Sequence, residues 1–276
     1  MHVALTAVLL VAALLCHDTL ATPSLVRRAE RLARVGRFQE AMVPLQQRLK
    51  VAPRDAVART TLANVYDALG LTKLAEREIR KLLIITRKTA VEAPSFAATR
   101  TAAAARYQLA QHILRHKGKE IGARDAAIAE LRRCVELSPT HDNAKHWLAH
   151  QLMRLPGQSA AASALLSSVR LDKLTGSHPL DTLMLLGQAR ERLGDLDGAV
   201  RAFERTRELF AAQAQGKRAA LSEKMLRRFG LAHFQLCRLY LLTARVDAAL
   251  SSAEHGFRTF PAMYQLTDVA AAALQL

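Results

Sequence analysis

Two hydrophobic patterns divide the chain. Val3–Cys16 is an almost wholly apolar stretch of 14 residues, followed by the short polar segment His17-Asp18-Thr19. Beyond it, apolar and small residues alternate with arginine, glutamate and glutamine at helical spacing, and the arrangement repeats. Gly36, Ala41 and Leu45 return 34 residues later as Gly70, Ala75 and Ile79, while Ala29 and Leu32 return as Ala63 and Tyr66. Each unit reads as a helical hairpin. Helix A places a small residue where helix B crosses closely, a glycine turns the chain, and helix B returns a second small residue. A proline after helix B cannot continue it.

The pattern extends along the chain. Repeat 1 (22–55) carries Leu25, Arg28-Ala29, Leu32, Gly36, Phe38, Ala41, Leu45 and Pro53. Repeat 2 (56–89) carries Leu62-Ala63, Tyr66, Leu69-Gly70, Ala75 and Ile79. Repeat 3 starts near Ala103, with Leu109-Ala110, a turn lengthened around Gly118–Arg124, then Ala127-Ile128, Leu131, Cys134 and Pro139. Repeat 4 (142–175) has Leu148-Ala149, Leu152, Pro156-Gly157, Ala161 and Leu165. Repeat 5 (180–213) has Leu186-Gly187, Leu193-Gly194-Asp195, Ala199-Val200 and Phe203. Repeat 6 (230–263) has Leu236-Cys237, Tyr240, Ala249-Leu250 and Pro261, and Tyr264–Leu276 reads as a lone capping helix.

Six such units in near-register resemble tetratricopeptide repeats. The resemblance implies an all-α fold, a right-handed α-solenoid of antiparallel helix pairs. Two stretches break the register. Ala90–Ala102 contains Pro94, which biases Ala93 out of the α region and ends a helix there. Ala214–Phe229 contains Gly216, then Ser222 as an N-cap with Glu223 in the first turn. Both read as helix extensions around a short loop. Neither has a linker composition, so 22–276 reads as one domain.

The apolar N-terminal stretch is shorter than the about 20 residues that cross a bilayer. It matches the hydrophobic region of a secretory signal, with Thr19-Leu20-Ala21 at the cleavage position, so residues 1–21 are expected to be a signal peptide. An uncleaved anchor through residues 3–16 is the alternative. A mitochondrial presequence is disfavoured, since the first arginine is Arg27. Repeat 1 begins at Thr22-Pro23, where the signal ends.

Composition agrees with helix: half the residues are apolar, only 5% are aromatic, and prolines number 8. The formal charge is +16, rising to +17 once the 40 bases face 23 acids without residues 1–21. Such a chain is attracted to acidic surfaces. Residues 27–88 hold 15 of the bases against 6 acids, and Arg27, Arg31 and Arg34 head a basic surface. This region interleaves only Phe38 and Tyr66, too few aromatics for base stacking, so nucleic acid is not the expected partner. Cys134 and Cys237 lie about a hundred residues apart at positions where small residues pack, which reads as two buried thiols rather than a disulfide.

Tetratricopeptide arrays bind an extended peptide or helix along their A helices. Carried onto this chain, that implies a groove lined by Glu30, Asn64, Asp67, Tyr107, Gln111, His146, His150, Met153, Gln188, Phe234 and Arg238, with Val26, Thr60, Leu114 and Glu191 beside them. The family's basic clamp for an acidic chaperone tail would fall on Thr60, Asn64, Gln108, Asn143 and Trp147. Only Asn64 matches, and the cations that grip a carboxylate are missing. The pairs His112/His116 and His146/His150 share helical faces. No His-Glu-x-x-His pattern occurs and no carboxylate is expected to accompany either pair, so both read as packing or solvated histidines and no metal is expected. The mid-array pairs could instead respond to acidification. No phosphate-binding loop, nucleophile elbow or Cys-x-x-Cys pair occurs, so neither a cofactor nor an enzyme is expected. The expected function is a protein-binding scaffold, with an anionic surface as the rival partner.

Overall fold

The computed structural model describes residues 24–118, 120–174, 178–214 and 223–259. The expected signal and the expected capping helix lie outside these residues. Twelve α-helices and no strand occur among them: α1 (24–34), α2 (Phe38–Val51), α3 (Ala56–Ala68), α4 (Thr72–Glu92), α5 (Phe96–His116), α6 (Ala123–Leu137), α7 (Asp142–Leu152), α8 (Ser159–Ser167), α9 (His178–Arg192), α10 (Leu196–Ala214), α11 (Glu223–Leu242) and α12 (Val246–Thr259). They pair as six A–B hairpins in the expected order. The chain divides into two compact units, Met1–Thr140 and His141–Leu276. The division falls beside Pro139, at the end of repeat 3.

In the first unit α2 to α6 pack each on the next, and α3 also meets α5, so consecutive A helices touch. The core around α1–α4 joins Ala29, Ala41, Leu45, Ala58, Leu62, Tyr66 and Ala75. Alanine at the crossings lets helix backbones approach, while each buried leucine contributes about 2–3 kcal/mol by leaving water. In the second unit α9 meets α7 in the same way, and a core cluster joins Phe203 of α10 to Leu236, Leu239 and Tyr240 of α11. Gly187 is the close-approach residue here. A Cβ at this position would lie 2.6 Å from Phe203 Cζ.

The A–B turns of repeats 1, 2, 4 and 5 each close on a glycine at φ between +71° and +78°. Repeat 6 has no glycine there, and Ala244 takes the same left-handed conformation at φ 55°. An L side chain is strained in that region.

Two departures from the repeat reading have local causes. α5 begins at Phe96, two turns before the expected Ala103, because Ser95 follows Pro94 and its Oγ accepts from Ala98 N at 3.1 Å. α4 runs to Glu92 and Ala93 leaves the α region, as Pro94 requires. α8 is the other departure. It has only 9 residues, against 14 to 21 in the other B helices. Ser168 Oγ donates to Leu165 O at 2.8 Å, and Asp142 accepts from Arg170 N at 3.2 Å and Nε at 2.9 Å, drawing the chain into a 3-10 turn at Leu171–Lys173.

Candidate functional site

The A-helix face of the first unit is a polar ladder between α3 and α5. Gln108 Nε2 donates to Thr60 O at 3.1 Å and to Asn64 Oδ1 at 3.0 Å, so three of the five clamp-frame positions come together. One turn on, Asp67 faces α5. Its Oδ1 lies 3.0 Å from His112 Nδ1 and 3.3 Å from His116 Nε2, and its Oδ2 accepts from Arg115 at 3.2 Å. The reading that no carboxylate accompanies the His112/His116 pair is therefore corrected. Asp67 lies 45 residues away in sequence, and only the contact of α3 with α5 brings it to the pair. Gln111 is buried beside them, with no hydrogen-bond partner for its Nε2 among the described residues. Glu30 and Tyr107 are half-buried and Asn64 is exposed.

In the second unit, α7 and α9 build an aromatic cluster. His146 is buried with its Nδ1 2.8 Å from Thr182 Oγ1, and its ring lies 4.9 Å from that of His178. Trp147 stands edge-on to His146, His150 and His178. Burial, then the neighbouring His178 and His150, push the His146 pKa down to about 3. His150 is also lowered, by burial and then by Arg154. Of the remaining groove candidates, Met153 is buried, Gln188 is half-buried, and Phe234 packs with Cys237 and Ala253 against α12. Arg238 pairs with Glu191, and Arg228 with Asp181 at 2.7 Å, tying α9 to α11. The buried members of this set sit at the seam between A helices, half a turn from an open face.

The first helix carries its charges outward. Arg27, Arg31 and Arg34 are exposed, and none has a carboxylate partner among the described residues. Both cysteines are buried, and burial raises their thiol pKa values to about 12 at Cys134 and about 11 at Cys237. Such thiols are inert.

One further feature is absent from the repeat reading. A cavity of about 900 Å³ opens between the end of α8, α9 and α10. Leu166, Val169, Leu183 and Leu186 give it an apolar floor, and Arg201 and Arg205 stand at its wall, exposed and without carboxylate partners among the described residues. The adjacent serines Ser167-Ser168, poor in helix propensity, were the available sequence signal.

Among the described residues no helix is long and apolar enough to cross a membrane. No family model matches the chain. No curated protein sequence matches it either. Solved structures do match. A Pseudomonas aeruginosa pilF structure is similar at 17% identity and a TM-score of 0.59, over 91% of this chain and 97% of that one. PilW, a type IV pilus biogenesis factor, is similar at 15% identity and a TM-score of 0.55, over 90% and 98% of the two chains. The APC/C hetero-tetramer Cut9-Hcn1 is similar at 13% identity and a TM-score of 0.51, over 92% of this chain and 43% of that one. With the paired helices and the glycine-closed turns, these likenesses give the chain the tetratricopeptide-repeat fold.

Proposed function

We propose that this chain is a non-catalytic protein-binding scaffold that enters the secretory pathway through residues 1–21 and receives a partner segment on its A helices. The observation that carries this is the α3–α5 ladder. Two adjacent A helices bring the exposed Asn64 and the half-buried Gln108 side by side, with Asp67 one turn on, so hydrogen-bonding groups line the A-helix face. The similar fold of a type IV pilus biogenesis factor, matched over nearly all of both chains, supports an accessory role in building a larger assembly. An acidic partner suits the cavity in the second unit, where Arg201 and Arg205 would meet carboxylates above an apolar floor.

The test is capture of luminal proteins by the tagged full-length chain. A partner recovered by the wild type should be lost from Asn64→Ala/Gln108→Ala, with helical content unchanged. Arg201→Glu/Arg205→Glu should weaken an acidic partner most at low salt. Failure of the wild type to retain any protein above background defeats the proposal.

A second reading, attachment to a polyanion or anionic membrane surface, is favoured by the exposed Arg27, Arg31 and Arg34, which have no carboxylate partner among the described residues. Retention on heparin that ignores both salt and charge reversal at these three positions would dismiss it.

A further inference from the structure

We propose that Asp67, His112 and His116 form a zinc site, two imidazoles and one carboxylate from α3 and α5 with water in the fourth position. The proposal shares Asp67 with the A-helix face of the scaffold reading, but zinc binding is measured without any protein partner, so either can fail without the other. The three ligand atoms lie within 4.8 Å of one another. Zinc bonds of about 2.0–2.1 Å in a tetrahedron place neighbouring ligand atoms roughly 3.3 Å apart. The two distances from Asp67 Oδ1, 3.0 Å and 3.3 Å, already have that length. Only the separation of the two imidazoles has to close, and His116, on the last turn of α5, has room to turn because its side chain is partly exposed.

The electrostatics of the place favour a cation. Asp67 lies in the last turn of α3 and His112–His116 in the last turn of α5, so two helix ends bring their partial negative charge to the same point. Asp67 and His112 are more than nine-tenths buried, which fixes both ligands before the ion arrives. Arg115 bonds the far oxygen, Oδ2, and so orients the carboxylate with Oδ1 toward the imidazoles. The neighbouring ammonium of Lys117 is matched by Glu76 at 3.0 Å. Two imidazoles among three ligands select a borderline metal such as zinc over magnesium or calcium, which require oxygen.

The site also explains why the second histidine pair differs. His146 turns to the hydroxyl of Thr182 and to the rings of Trp147 and His178, and among the described residues this pair joins no three-ligand cluster.

The test uses the full-length chain, stripped with EDTA and titrated calorimetrically with zinc sulfate near neutral pH, with magnesium chloride as the control. One zinc per chain should bind, magnesium should not, and the melting temperature should rise with zinc and return with EDTA. His116→Ala and Asp67→Asn should each weaken zinc binding by more than the roughly 100-fold that loss of an outer-sphere partner costs. His150→Ala, in the other unit, should leave it unchanged. Cobalt in place of zinc should show the visible bands of a four-coordinate ion without a thiolate charge-transfer band. The proposal is overturned if the wild type binds no zinc, if His116→Ala retains wild-type affinity, or if His150→Ala abolishes binding. Should Asp67→Asn unfold, His116→Ala decides alone, since its exposed position at the helix end tolerates alanine.

Discussion

The two units carry the same short motif, a pair of histidines four residues apart on an A helix, and give it opposite surroundings. In the first unit the pair faces Asp67 from the preceding A helix, and a charged cluster with Arg115 results. In the second, His146 is packed among rings and a hydroxyl, and burial holds it neutral. One spacing thus yields a cation seat in one place and an uncharged core group in the other. The residue that decides lies a repeat away, so the chemistry of a helical motif is set by the neighbouring helix rather than by the helix that bears it.

Three changes would break or sharpen that contrast. The largest effect of a substitution is expected from Asp67→Ala, which leaves His112, Arg115 and His116 without their shared carboxylate. Removing the carboxylate leaves the buried His112 Nδ1 without its partner, which costs about 1–3 kcal/mol, and urea denaturation at neutral pH should show a loss of that order. The next is acidification. An unfolded chain protonates His146 near its ordinary value of 6.5, whereas the folded chain resists until about 3. The unfolded state therefore takes up the proton first, and stability should fall as the pH drops from about 6.5 toward 3, by a few kcal/mol in total. Trp147, the single tryptophan, packs against His146 and His150 and reports this unit by its fluorescence. His146→Gln should lessen the dependence, with the buried His233, held down to about 4, keeping a share; a denaturation midpoint in the variant that still tracks pH as in the wild type would refute the assignment. The smallest effect lies at the turn of repeat 6. Ala244→Gly relieves a left-handed backbone and should raise stability by up to about 1 kcal/mol, seen as a later midpoint in the same Trp147 experiment.

Much of the fold was legible because it rests on local chemistry. Glycine is favoured where the A–B turn goes left-handed, alanine where helices cross, and proline where a helix must stop. Those three demands recur along the chain: Gly70 and Ala75 meet the first two at the repeat spacing, and Pro94 stops α4 in a stretch that breaks the register. The site was legible only in part. Asn64, Asp67 and Gln111 could be placed on the A-helix face by counting, but His146, Met153 and Gln111 proved buried, since a helix position beside the groove lies equally beside the seam to its neighbour. The cavity by α10 and the early end of α8, where Asp142 bonds Arg170 across 28 residues, are features that no periodicity encodes.

By itself, then, the sequence determined the helix pairs, their turns and the charge along them, because each depends on residues within a few positions of one another. Which side chains became partners was decided by the tertiary structure alone. Asp67 meets His112 and His116, and His146 meets Thr182, across distances of 45, 49 and 36 residues, closed by helix packing and not by spacing.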